Sequence, residues 1–507
     1  MASSQDIANR IPITIALMLA TLMNGIDTTI ANVALPRMQG SFSASQDQMA
    51  WVLTSYIVGA AIMLPLVGRN AERFGYKIVF LVSIGGFTVA SMLCGVAGSL
   101  AEIVLFRFVQ GLCGASLFPL SQATTLSLYP PRLFGQVMSM WMAAALLAPV
   151  IGPLAGGYLT DQLSWRWVFY INLPLGILAF VGVWAFMSWD RGGRSRPFDG
   201  LGYGALALAL PALQLMLDRG PSQDWFASPE IVAEAVLAII GFYVFVVQTI
   251  TARHPFFDRA LAFDVNFVTA SIFNMILGFM LFSVLALQPP LMQTLMGYSV
   301  FGAGIVMAPR GVGTFFAILL VGRLIGRVDT RILLMTGLVL TALSMWQMSH
   351  FDLEMDSARF VTAGVLQGMG MGLMMPPVNT LAFATLPAEL RAEGAVVTTL
   401  LRSVSQSIGI SATVAIFTSQ AAVAHSDIAA AAQATNPAFI AGIAPGMSPA
   451  TTPGLLALNG EVTRQASMVG YIDIFHMLLI ATVVVMPLVL FLRPRKTVQT
   501  LAEVTAE

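Results

Sequence analysis

Residues 25–36 read GIDTTIANVALP, and residues 11–24, IPITIALMLATLMN, are almost wholly apolar. An acid, Asp27, therefore stands within a run long enough to cross a bilayer, which takes about 20 apolar residues in a helix. A charged carboxylate at a helix centre costs roughly 2.5–3.5 kcal/mol on insertion scales, and ionisable groups kept there are in most cases functional. The chain as a whole fits that setting. Of its 507 residues 57% are hydrophobic and 10% charged, with mean hydropathy +0.81. A soluble domain carries about 25% charged residues; so few polar groups cover a surface only if lipid covers the rest. Formal net charge is zero, so nothing attracts nucleic acid.

Apolar runs recur near 12–34, 50–68, 78–98, 101–128, 137–160, 167–187, 200–217, 229–251, 267–288, 300–321, 332–349, 359–385, 393–418 and 468–492. The first has no small-residue cleavage pattern and is expected to be a retained helix. Loop charge tests the count of fourteen. With both termini cytoplasmic, about 17 basic residues lie inside, including Arg191, Arg194, Arg196, Arg493, Arg495 and Lys496, and about 4 outside, Arg37, Arg166, Arg219 and Arg464. Arg107, Arg310, Arg359 and Arg402 fall in or at the edge of spans. Residues 419–467, rich in Ala, Pro, Gly, Ser and Thr, read as a long external loop, disordered or holding a short helix near AHSDIAAAAQA.

The chain repeats itself. GRNAERFGYKI (68–78) matches GRLIGRVDTRI (322–332), and QGLCGASLFPL (110–120) matches QGMGMGLMMPP (367–377). Gln110, Gly111 and Pro119 map to Gln367, Gly368 and Pro376 at one offset. A repeat of about 255 residues in a helical bundle suggests two parallel-related halves. Other classes leave no trace. Cys94, Cys113 and four scattered histidines make neither a disulfide framework nor a metal cluster. No GxxxxGK[ST], GxSxG or HExxH pattern occurs, so neither ATP binding nor catalysis is expected and no cofactor is called for.

In order along the chain, IDTTIANVALP (26–36), GRNAERFGYK (68–77), FRFVQGLCGA (106–115), APVIGPLAGGYL (148–159), WRWVFYINLPLG (165–176) and LDRGPSQDWF (217–226) resemble motifs of the major facilitator superfamily. The resemblance is to its fourteen-helix drug:proton antiporters of the EmrB/QacA type, and LDRGPSQDWF points towards EmrB-like members. It implies an all-α membrane protein of two six-helix bundles, 1–190 and 263–507, with two extra transmembrane helices inserted at 191–262. It also implies export of hydrophobic or cationic drugs across an inner membrane, driven by the proton gradient. Further expected partners are a periplasmic membrane-fusion adaptor and an outer-membrane channel.

Each motif has a physical reading. A carboxylic acid in a low-dielectric site holds its proton more tightly than in water, so Asp27 is expected to carry the proton; the alternative is a helix-packing hydrogen bond. Asn32 could add a polar contact. A buried guanidinium needs a partner. Because the family sets helices 1 and 4 side by side, Arg107 is expected to pair with Asp27 and to switch its proton affinity when the halves rock. A static pair is the alternative. Gly152 and Gly156, four apart, bare one helix face; with Gly157, Pro149 and Pro153 they resemble the family's antiporter contact, and generic small-residue packing would use the same spacing. Gly68, Glu72, Arg73, Gly75 and Lys77 resemble the family's charge clamp, with Glu72 replacing the usual Asp. The bland reading is a basic turn. Glu234, Arg310 and Arg402 are further intramembrane charges. Asp473 and His476, three apart, share a helix face and are expected to pair or to relay a proton.

The leading expectation is a drug:proton antiporter. An antiporter for one metabolite, lipid or siderophore is the nearest rival, and a non-transporting sensor or scaffold the rival of another class. The Met- and Phe-rich segments 273–282 and 368–377 suit a polyspecific cavity, but no substrate contact can be assigned to a residue.

Overall fold

A computed structural model of the chain describes residues 4–189, 192–193, 197–325, 327–432 and 451–491. Fourteen long helices run through these residues. They are α1 (Arg10–Phe42), α2 (Trp51–Phe74), α3 (Tyr76–Val96), α4 (Leu100–Leu128), α5 (Phe134–Gln162), α6 (Trp167–Phe186), α7 (Gly200–Ser222) and α8 (Pro229–Thr251). The second set is α9 (Val265–Leu295), α10 (Phe301–Leu324), α11 (Thr330–Met348), α12 (Ser357–Ala384), α13 (Ala388–Ala431) and α14 (Thr452–Val489). Thirteen are long and apolar enough to cross a membrane by length and composition. The other, α12, is diluted by glycines and the Pro376–Pro377 pair, yet most of its residues are buried. The chain is an all-helical membrane protein.

The segment 419–467 departs from its reading as a loop. α13 continues unbroken to Ala431, and α14 begins at Thr452. The two extensions pack on each other, with Gly470 against Ala421 and the His425 ring 3.3 Å from the Asn459 amide oxygen. Alanine has the highest helix propensity of all residues, so the Ala-rich AHSDIAAAA prolongs a helix already nucleated by the span. Residues 433–450 lie outside the described residues, as do Arg191, Arg194, Arg196, Arg493, Arg495 and Lys496.

The repeat is visible atom by atom where helices touch. A Cβ added to Gly59 on α2 would meet the Phe108 carbonyl of α4 at 2.3 Å; one on Gly313 of α10 would meet the Val365 carbonyl of α12 at 2.7 Å. In return, Gly111 faces the Tyr56 carbonyl and Gly368 the Arg310 carbonyl, both at 2.1 Å. The α2 and α10 members are related as 68 is to 322, and the α4 and α12 members as 110 is to 367, so α2–α4 and α10–α12 are one packing unit used twice. Only glycine lets two backbones come this near. At the centre Gln122 of α4 donates to Asn379 of α12 at 3.0 Å.

One helix of the added pair is built into the bundle and the other rests on it. α7 packs on α2 and α13, through Thr54 to Asp218 (2.6 Å), Tyr203 to the Ile62 carbonyl (3.2 Å) and Gln214 to Ser403 (3.1 Å). α8 packs on α7, where Gly241 meets Ala205 and Ala209.

α5 lies against α1 along Gly152 and Gly156, and runs as one helix through Pro149 and Pro153. A Cβ at Gly152 would fall 2.0 Å from Thr29 Oγ1, and one at Gly156 2.8 Å from Ile30; at Gly157 nothing lies within 4 Å. Overpacking costs about 1–3 kcal/mol. Gly152→Ala is therefore expected to lower the melting temperature of the purified protein, while Gly157→Ala leaves it unchanged or slightly higher, read by size-exclusion thermostability in detergent.

Candidate functional site

The deepest polar cluster forms where α1, α2, α3, α4 and α6 meet. Asp27 sits on the buried stripe of α1 with Met23, Ile26 and Ile30. Arg107 and Gln110, three apart on α4, share one face of that helix. Arg107 Nη1 donates to Asp27 Oδ2 at 2.6 Å, and the two side chains are 1% and 0% exposed. The other carboxylate oxygen, Oδ1, accepts from Gln110 Nε2 and from Asn172 Nδ2, both at 2.8 Å. Arg107 also donates to Gln110 Oε1 (2.8 Å) and to the Val52 carbonyl (3.2 Å). Its guanidinium carbon lies 4.5 Å from the Tyr56 ring centre and 5.8 Å from that of Phe169, within cation–π range. Around this core Asn24 donates to Tyr56, and Asn172 to Ser91, which donates to the Phe169 carbonyl.

Three donors, two from α4 and one from α6, converge on the two carboxylate oxygens, so the acid is closed off from solvent and held from both sides.

Two of these partners are absent from the expectations. In the sequence Gln110 stands out only as part of the repeat, and Asn172 only inside the motif WRWVFYINLPLG. The usable signal was an amide in an otherwise apolar span, since a buried amide needs a partner. Asn32 is not in the cluster; five residues turn a helix by about 140° from Asp27, and Asn32 is exposed.

The remaining predicted residues disperse. Gly68 packs against the backbone of Glu393 at the start of α13, 3.7 Å from where its Cβ would be, so this turn does touch the other half. Gly75 has φ 90°, a conformation that suits glycine. Among the described residues, however, Glu72 and Arg73 form no ion pair; the Arg73 guanidinium lies over Phe74 at 5.2 Å. Lys77 turns inward and donates to the carbonyls of Trp184 and Met187 at 2.7 and 2.6 Å. It closes the C-terminal end of α6, where a cation meets the negative end of the helix dipole. Glu234 is buried on α8, with Oε2 unbonded among the described residues. Asp473 and His476 do not bond to each other; His476 is exposed and its ring faces His350, centroids 6.3 Å apart.

Arg310 and Arg402 mark two cavities along the junction of the halves. The larger, open on one side, is lined by Leu146, Pro149, Leu281, Leu285, Met307 and Arg310, among others. The smaller holds Arg402, whose guanidinium carbon is 3.8 Å from the Phe118 ring centre, beside Gln122, Asn274 and Asn379.

Comparison with known proteins agrees with this architecture. The family model described as Major Facilitator Superfamily matches residues 17–410. The multidrug export protein EmrB of Haemophilus influenzae is 33% identical over 91% of this chain and 92% of its own. The fatty acid resistance protein FarB of Neisseria gonorrhoeae is 32% identical over 95% of this chain and 96% of its own. Among solved structures, the proton:xylose symporter XylE superposes with a TM-score of 0.58 at 15% identity, covering 98% of each chain. A buried, fully bonded ion pair, a duplicated helical unit and these matches lead to one conclusion: the chain is a multi-pass membrane transporter, not an enzyme, and belongs to the Major Facilitator Superfamily.

Proposed function

We propose that the protein exports hydrophobic toxic compounds in exchange for protons, with Asp27 as the proton carrier and Arg107 as the group that sets its affinity. The observation that carries this reading is the sealed Asp27–Arg107 pair, dressed by Gln110 and Asn172. A pair meant only to hold helices together is a poor bargain, because well-packed apolar residues stabilise as much or more. Its retention fits a group that must open and close. Rocking of the two halves would expose each side of the junction in turn, and loosening of α4 against α1 would free the carboxylate to take a proton. The relatives named for multidrug export and fatty acid resistance support a hydrophobic cargo.

The positive-inside distribution supports cytoplasmic termini. The LDRGPSQDWF resemblance supports a Gram-negative inner membrane and assembly with a periplasmic adaptor and an outer-membrane channel. In this reading the helical extensions of α13 and α14 stand on the periplasmic side, where an adaptor would meet them.

The deciding experiment uses energised inverted vesicles, with ethidium as a lipophilic cation and dodecanoate as a lipophilic anion. Uptake of a probe together with partial collapse of the pH gradient is expected for the wild type and is lost in Asp27→Asn. Flux that survives intact in this variant would remove Asp27 from the proton path.

Stability supplies an independent check. Asp27→Asn leaves Arg107 buried without its counter-charge, a loss of about 3–5 kcal/mol. Adding Arg107→Leu to the same chain is expected to restore most of the melting temperature but none of the coupling.

A further inference from the structure

The second half keeps a buried guanidinium and a buried glutamine but no acid to pair with them, unlike the cluster in the first half. Packing aligns the halves residue by residue. Gln110 corresponds to Gln367, Gly111 to Gly368, and Tyr56 to Arg310. Gly25 of α1 packs on Ala148, and Gly278 of α9 packs near Ser405, which corresponds to Ala148. The counterpart of Asp27 therefore falls at Met280–Leu281, both apolar, and that of Arg107 at Gly364. In the first half a guanidinium and a glutamine amide grip a carboxylate. In the second, a guanidinium arrives from another position, the glutamine remains, and the carboxylate is missing.

The atoms left over agree with this. Arg310 is 6% exposed; Nη1 donates to Gln288 Oε1 at 3.1 Å, and Nη2 has no partner among the described residues. Gln367 is fully buried, with neither amide atom bonded among them. Buried polar groups are otherwise almost always satisfied, and an unpaired guanidinium is the most costly exception. Arg310 lines the larger cavity, whose walls are otherwise mainly aliphatic. Arg402, in the smaller cavity, has a ring beneath it but no hydrogen-bond acceptor among the described residues. The cavities are stacked: Met142 and Leu146 of α5, and Met375 and Met371 of α12, line them one turn, about 5.4 Å, apart. Among the described residues no acid lines either cavity.

We propose that the cavity around Arg310 is the head-group site for the exported compound and that it takes an amphipathic anion, a carboxylate or sulfonate on a hydrophobic body. The anionic head lies in the cavity beside Leu281, bonded by the free Arg310 Nη2. The body lies along Leu146, Leu281, Leu285 and Met307. Arg402 offers the same head a second station one turn away. A hydrophobic cation would enter a space holding two positive charges and no acid, so the site selects against the cationic drugs suggested by resemblance. This rests on the export reading and narrows its substrate class.

The test is binding without a gradient, so that it stands apart from proton coupling. Full-length protein in dodecyl maltoside is titrated with dodecanoate, dodecyltrimethylammonium and dodecanol, three heads on one chain length. Dodecanoate is expected to bind the wild type at least about tenfold more tightly than either of the others, and Arg310→Gln to remove that preference while Arg310→Lys keeps part of it. Leu281→Asp, which puts a carboxylate into the cavity beside Arg310, is expected to abolish dodecanoate binding with the melting temperature held or raised. That variant keeps the test informative if Arg310→Gln does not fold. Equal binding of the three heads, or unchanged dodecanoate binding in both Arg310→Gln and Leu281→Asp, would overturn the proposal. Phospholipid that co-purifies with the wild type and resists displacement by dodecanoate would give the site to a lipid phosphate and overturn it too. Should anion binding hold while Asp27→Asn still exchanges protons for cargo, the head-group site stands and the proton assignment falls.

Discussion

A carboxylate and a guanidinium, both shut away from solvent, fix how the first half can be assembled. Neither Asp27 nor Arg107 can be tolerated alone at that depth. Five helices must therefore arrive together, since α1 supplies the acid, α4 the base and one amide, α6 the other amide, α2 a carbonyl and an aromatic face, and α3 the hydroxyl behind Asn172. In lipid there is little hydrophobic drive between helices, and close packing and polar contacts take its place. Both are present side by side here: Gly59 and Gly111 bring α2 and α4 to backbone contact one or two turns from the charges. Any movement that parts α1 from α4 must find a new partner for each charge at the same moment.

The second half shows what remains when that constraint is lifted. It keeps the glycine contacts of α10 and α12 and the buried glutamine, so its helices pack as in the first half. It does not keep the internally paired charges. One half is thus electrostatically complete by itself and the other is not, although the backbone geometry is shared. The two halves still meet through one junction, of α5 with α10 and α4 with α12.

Much of this was legible from residues alone, for definite reasons. Span number follows from the fixed thickness of the bilayer, and even α12, thinned by Gly and Pro, reads as an apolar run over 359–385 that the charge alternation supports. Asp27 and Arg107 stood out because a charge in an apolar run has few innocent explanations. The amides did not: Gln110 and Asn172 carry no charge to draw the eye, and their roles depend on rotamers and on helices far apart in sequence. Lys77 was misplaced for a similar reason, since its long side chain reaches back to the end of α6 and not out to a clamp. Asp473 and His476 show the limit of spacing arguments; three residues apart gives a shared face, but the His476 ring lies towards His350. The ends of α13 and α14 were misread because hydropathy stops at the membrane surface and helix propensity does not.

The hydrogen bond between Gln122 and Asn379 joins positions 257 residues apart, the same separation that relates Gln110 to Gln367. Each is the other's image, so the bond lies on the pseudo-two-fold axis. A group placed on such an axis meets its own copy in a symmetric dimer. Carboxylates there would repel and ammonium groups likewise, whereas a primary amide donates with one atom and accepts with another and can bond to its own kind.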